Sequence, residues 1–154
     1  MTDTLRLDSR GQEETRALGE RLGALLHAGD VVLLQGELGA GKTTFVQGVA
    51  RGLGFEGSVS SKSFVLLGEY AGRATLYHAD LYRLDDPDQV LDLALDEISA
   101  DGVLVVEWPE RAAGMLPEEH LLVRFHVLSE EARSLEFEAI GARAEAIVAG
   151  LRVA

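Results

Sequence analysis

Four consecutive apolar residues, Val31-Val32-Leu33-Leu34, lead through Gln35 into Gly36-Glu37-Leu38-Gly39-Ala40-Gly41-Lys42-Thr43. No other stretch of the chain restricts the fold as strongly. An uninterrupted apolar run suits a strand buried on both faces, as in the middle of a parallel sheet. The G-x-x-x-x-G-K-S/T pattern behind it needs glycines so that successive backbone N–H groups can turn inward around an anion. It also needs a helix directly after, whose unpaired N–H groups and partial positive charge face the same anion. Strand, loop and helix together predict a phosphate-binding turn for a nucleoside triphosphate. Lys42 would reach the β- and γ-phosphates, Thr43 would place its hydroxyl on Mg²⁺, and Thr44 would bond a phosphate oxygen nearer the nucleoside. The plainer reading, a glycine-rich turn with a solvated lysine, is disfavoured by the flanking patterns.

The remaining segments read as follows. Thr4 to Leu7 is a short strand, and Ser9 and Gln12 stand at capping-box spacing before a helix reaching about Leu26, with Ala17, Leu18, Leu22, Leu25 and Leu26 on one face. A second helix runs from Thr43 through Val46, Val49, Ala50 and Leu53, with Gly54 as its stop. Ser58 to Ser63 is a polar loop. Phe64 to Tyr70 and Ala74 to Asp80 pair as a hairpin across Ala71-Gly72-Arg73, and Pro87 opens a helix to Ile98. Gly102 to Glu107 is a second buried strand. Leu121 to Leu128 and Ser134 to Ile140 form a terminal strand pair, and Ala142 to Leu151 closes with an alanine-rich helix. The order implies an α/β fold: a mixed, mostly parallel central sheet with helices on both faces and antiparallel edge strands.

At 154 residues, with 47% hydrophobic content, the chain is expected to form one domain over residues 1–154. A formal charge of −12 argues against an extended electrostatic footprint for nucleic acid or an anionic membrane. Any RNA involved is expected to be held by a partner. The absence of cysteine excludes thiolate catalysis and a Cys-ligated metal. No segment approaches the ~18 consecutive apolar residues of a membrane span, and the N-terminus lacks a signal-peptide pattern, so the expected address is cytoplasmic.

Two acids end apolar strands, Asp80 after Leu76-Tyr77-His78-Ala79 and Glu107 after Val103-Leu104-Val105-Val106. Either position suits a metal-facing carboxylate; a helix N-cap or a solvated loop acid is the alternative. His78, two residues before Asp80 on the same strand, should point the same way, and a hydrogen-bonded structural histidine is preferred over a general base. The acids at Asp85, Asp86 and Asp88 read as a solvated turn and helix N-terminus.

Gly36 to Phe45, Tyr77-His-Ala-Asp-Leu-Tyr-Arg-Leu84 and Val105-Val-Glu-Trp-Pro-Glu110 together resemble the TsaE (YjeE) family of bacterial P-loop ATPases. The resemblance extends from about Glu14 to Arg133. It implies a P-loop NTPase fold and an ATPase, slow alone, needed to make threonylcarbamoyladenosine beside the tRNA anticodon. It also implies work with a TsaB–TsaD complex whose turnover its hydrolysis supports, with tRNA met only through those partners. ATP rather than GTP rests on the same resemblance.

Carried over by position, Thr43 and Glu107 look like the Mg²⁺ ligands and Asp80 like the residue required for hydrolysis, by orienting the attacking water or holding a metal-bound one. Trp108 resembles a tryptophan important for activity, with a large apolar cap on the core as the alternative. Gln12 and Arg133 match positions that approach the nucleotide, although a helix cap and a surface charge would also explain them. Glu110 belongs to the same set of nucleotide-site candidates. The chain departs from the family's Ser-Pro-Thr-Phe with Ser61-Lys62-Ser63-Phe64. Ser63 keeps a hydroxyl for the phosphate, whereas Lys62 in place of proline frees φ and adds a donor. Lys62 is read as solvated. Two rival readings are a small-molecule kinase, against which the scattered Arg83, Arg111, Arg124 and Arg133 form no lid, and a nucleotide-dependent binding module.

Overall fold

The computed structural model describes residues 3–57, 59, 67–82, 95–112 and 114–153. Among the described residues the strands are β1 (Asp3–Ser9), β2 (Val31–Gln35), β3 (Leu67–Tyr70), β4 (Leu76–Asp80), β5 (Val103–Glu107), β6 (His120–Val127) and β7 (Arg133–Ile140). They form one sheet in the order β1-β7-β6-β2-β5-β4-β3. The helices are α1 (Gln12–Leu25), α2 (Lys42–Gly52), α3 (Leu95–Asp101) and α4 (Ala142–Val153), with a 3₁₀ turn at Pro109–Ala112.

The two uninterrupted apolar runs, Val31 to Leu34 and Val103 to Val106, lie at the centre. Strand β2 pairs in parallel with β5 on one side and β6 on the other, and β5 pairs in parallel with β4. The expectation of a mostly parallel sheet is corrected: β1 with β7, β7 with β6 and β3 with β4 are antiparallel, so the sheet is evenly mixed. A short connection from β6 to β7 can only make a hairpin, and β1 joins its far edge, a long-range pairing with no local sequence signal.

Strict alternation sorts the central side chains. Val32, Leu34, Val103 and Val105 face a cluster containing Phe45, Val49, Leu22 and Val148 from α2, α1 and α4. Val31, Leu33, Leu104 and Val106 face the other side, with Leu95 of α3 and Ala112 of the 3₁₀ turn. Helical elements thus cover both faces, the thicker layer on the α1–α2–α4 side. Phe45 meets Phe125 edge-on at 5.4 Å, which seats the first turns of α2 against β6.

The α1–α2 contact follows from four glycines. Beta carbons at Gly19 and Gly23 would overlap the carbonyls of Phe45 and Val49, and beta carbons at Gly48 and Gly52 those of Arg16 and Glu20. The two helices therefore touch backbone to backbone. This corrects the expected face of α1: its buried residues are Thr15, Leu18, Gly19, Leu22 and Gly23, whereas Ala17 is exposed. Glycine carries no hydropathy signal, so the apolar pattern shifts the apparent stripe.

Helix α1 also lacks the expected capping box. Its N-cap is Gly11 with no side-chain cap bond, because Ser9 is held in β1 opposite Arg133 and its hydroxyl bonds Gly11 O and Thr15 Oγ1. The hairpin appears as Leu67–Tyr70 with Leu76–Asp80, Phe64 to Leu66 lying outside the described residues; the second buried strand and the closing helix appear as expected, and α3 continues past Ile98 to Asp101. The Ser58 to Ser63 loop, apart from Val59, and the start of the Pro87 helix, with Asp85, Asp86 and Asp88, lie outside the described residues.

Candidate functional site

The loop after β2 is shaped by what its neighbours allow. A beta carbon on Gly36 would lie 2.9 Å from that of Phe125, so only glycine lets the chain leave the sheet there. Gly39 and Gly41 take φ of 81° and 100°, a left-handed conformation that glycine adopts without strain. Ala40 N–H closes a turn on Glu37 O at 3.0 Å, and Phe45 N–H bonds Gly41 O at 2.9 Å, beginning α2. Ala40 is fully buried and anchors the loop, while Glu37, Leu38 and Gly39 stand exposed.

Lys42 is the centre of the site. It is only 4% exposed; its Nζ donates to Gly36 O at 2.6 Å and sits 3.7 Å from the centroid of the Trp108 ring. Burial lowers its pKa from 10.5, opposed by the negative charges of Glu107, Glu110 and Asp80 in that order. Three of the candidate acids therefore converge electrostatically on this one ammonium. Glu110, exposed at the start of the 3₁₀ turn, acts from the rim.

The parallel register explains the convergence. Asp80 and Glu107 are paired positions at the ends of β4 and β5, and Glu107 is also paired with Leu34, two residues before Gly36. Asp80 accepts a bond from Tyr82 N–H at 3.1 Å, which fixes its carboxylate at the strand end. Glu107 is buried and bonded by His78 Nε2 at 2.6 Å. His78 is thus a buried, hydrogen-bonded histidine, as the sequence reading preferred, and its partner is the candidate metal ligand.

Trp108 is the one non-glycine residue with positive φ among the described residues, at 60°. Its N–H bonds Leu34 O at 3.3 Å and its ring packs against Tyr82 at 5.0 Å. It packs on the second apolar cluster and presents a face to Lys42, so one ring both covers the core and stands against the loop lysine.

On the other side of the loop lies a cleft of about 750 Å³, lined by Gln12, Thr15, Gly41, Lys42, Thr43, Thr44 and Arg133 among others. Gln12 is exposed at the first turn of α1. Arg133 has its guanidinium on backbone: it donates to Gly39 O and Ala40 O, each at 3.2 Å, and to Ser129 O at 2.9 Å. It straps the loop to the turn between β6 and β7. The sequence reading also passed over Thr15, whose hydroxyl fixes the approach to α1; a threonine on an apolar helix face is its only sequence trace. Ser63 and Lys62 lie outside the described residues.

The donors available to a metal are oxygens: the Thr43 hydroxyl beside Lys42 and the Glu107 carboxylate, with Asp80 next to it in register. Oxygen ligands, few in number, are the donor set that Mg²⁺ takes from proteins. Among the described residues no group of three or more His, Cys, Asp or Glu is assembled as a metal site.

Comparison with known proteins places this geometry in a family. Residues 9–135 match the family model described as TsaE, threonylcarbamoyl adenosine biosynthesis protein TsaE. The chain belongs to the TsaE family. It is 43% identical over 132 residues to the tRNA threonylcarbamoyladenosine biosynthesis protein TsaE of Treponema pallidum, covering 85% of this chain and 98% of that protein. The TsaE of Bacillus subtilis is 42% identical over 135 residues, 86% of this chain and 84% of that protein. The crystal structure of Bacillus subtilis YdiB superposes with a TM-score of 0.85 at 35% identity, covering 99% of this chain and 97% of that one. The TsaE resemblance read from three short segments therefore holds over most of the chain. No helix among the described residues is long and apolar enough to cross a membrane.

Proposed function

We propose that this TsaE-family chain is a single-domain P-loop ATPase that serves threonylcarbamoyladenosine biosynthesis on tRNA. The observation that carries the proposal is Lys42, buried beside the glycine loop with Asp80, Glu107 and Glu110 acting on its ammonium and the Trp108 ring against it. A parallel β2, glycine loop and α2 in direct succession support a P-loop NTPase fold.

In this reading the N–H groups of the loop and of the first turn of α2 cradle the phosphates, and Lys42 exchanges Gly36 O for phosphate oxygens. Thr43 and Glu107 would hold Mg²⁺, which when bound would supply charge neutralisation on the phosphates. Asp80, fixed by Tyr82 N–H, would orient the attacking water in line with the γ-phosphate. Gln12 and Thr44 contact the nucleotide from the cleft side, while Arg133 keeps the loop in place. The engagement of Arg124 with Glu136 and Glu138, and of Arg133 with the loop, supports an ATPase over a small-molecule kinase, since neither cation stands ready to close on an acceptor.

The partner in this reading is a TsaB–TsaD complex in the cytoplasm, which holds the tRNA that a chain of charge −12 is poorly suited to hold. Hydrolysis allows that complex to turn over. A reconstituted modification assay tests this with Asp80→Ala. Single-turnover product is expected to match the wild type, with multiple-turnover product falling at least about 100-fold, as for loss of a catalytic group. Equal activity under both conditions would leave a nucleotide-dependent binding module as the better reading.

A further inference from the structure

The buried pair between His78 and Glu107 has consequences beyond folding. Alternation on β4 puts Leu76, His78 and Asp80 on one face, and on β5 puts Val103, Val105 and Glu107 on the same one. His78 is paired in register with Val105, so its ring lies one side-chain step behind Glu107 and reaches it diagonally. The side chains are 5% and 4% exposed, and Nε2 stands 2.6 Å from Oε2. An ionised carboxylate only accepts, so the Nε2 proton is donated to it. A short charge-assisted bond of this kind, made where water is excluded, restricts how the carboxylate can turn.

We propose that His78 is a positioning residue for Glu107: it orients the carboxylate and thereby sets the chain's affinity for Mg²⁺ in the nucleotide complex. The inference rests on the ATPase reading above, in which Glu107 is a metal ligand. Oxygen ligands to metals are themselves held by outer hydrogen bonds, and loss of such a partner lowers metal affinity by about 10- to 100-fold. Asp80 has its own support in Tyr82 N–H. The two carboxylates at the strand ends are therefore oriented by different groups, and His78 acts on Glu107 alone.

The test titrates Mg²⁺ into protein with a fluorescent ATP analogue, and compares analogue affinity in EDTA. In His78→Leu the half-saturating Mg²⁺ concentration is expected to rise about 10- to 100-fold, with metal-free affinity unchanged. His78→Gln, which can place an amide N–H near the position of Nε2, is expected to stay within a few-fold of wild type, and the shorter His78→Asn to behave like His78→Leu. In a Glu107→Gln background, His78→Leu should produce no further change in Mg²⁺ dependence. An unchanged Mg²⁺ requirement in folded His78→Leu, or an equal loss with and without metal, would overturn the positioning role. If His78→Leu does not fold, equal Mg²⁺ affinities in the Gln and Asn variants would do the same. Wild-type binding that ignores Mg²⁺ would instead overturn the ATPase reading itself.

Discussion

The two sides of Lys42 are built in opposite ways. Toward β4 and β5, Glu107 and His78 are buried, bonded to each other and backed by the strands. Toward the cleft, Gln12 is exposed at a helix start with no side-chain cap, and Arg133 is committed to backbone carbonyls. The buried side holds its groups by contacts within the protein, which is the arrangement expected where charge develops in a reaction. The cleft side offers surface and adaptable polar groups, which under the proposed function would meet the rest of a nucleotide.

Substitution on either side should break or sharpen this contrast. The largest effect is expected on the buried side: Glu107→Ala should lower ATP hydrolysis by at least about 100-fold, whereas Gln12→Ala should leave it within a few-fold. Steady-state hydrolysis assays of both proteins read the comparison, and equal losses would erase the distinction between the two sides.

An intermediate effect is expected where the sides are joined. Helix α1 carries Gln12 and Thr15, and α2 carries Lys42 and Thr43; the two helices meet at Gly19, Gly23, Gly48 and Gly52. Gly48→Ala sets a methyl against the Arg16 carbonyl and should cost about 1–3 kcal/mol by overpacking, net of any gain in helix propensity. Each kcal/mol corresponds to a melting temperature lower by about 2–4 °C in a domain of this size. Nucleotide affinity should fall with it, because the wedge parts the cleft wall from the loop. Thermal unfolding that showed no loss would mean α1 can slide without harm.

The smallest effect concerns proton linkage at Lys42. Burial holds its folded-state pKa below 10.5, so between that lowered value and 10.5 the unfolded chain binds more protons than the folded one. Stability contributed by this group therefore rises with pH across that interval. Lys42→Met removes the increment. Denaturant titrations at a series of pH values up to 10.5 should show the wild type gaining on the variant, and parallel curves would deny that the ammonium is held in a desolvated place.

Local sequence carried the elements and the loop because the signals there are local. Val31 to Leu34 read as an interior strand, and Gly36, Gly39 and Gly41 sit where the backbone needs to lack a side chain. Asp80 and Glu107 were legible as strand-end acids, and Trp108 through its segment. The errors share one cause. Ser9 looked like a cap because its pairing with Arg133, far along the chain, was invisible; Ala17 looked buried because glycines hide a packing face; the balance of parallel and antiparallel strands depended on where β1 docks.

The sequence by itself determined that this chain would carry a glycine-rich loop between a buried strand and a helix, since backbone conformation over eight residues is written in those residues. It also determined membership of the TsaE family. Only the tertiary structure decided that Lys42 lies under Trp108, that Arg133 straps the loop, and that His78 holds Glu107. Those contacts join residues distant in the chain, and their geometry follows from sheet register and helix packing, which no local pattern specifies.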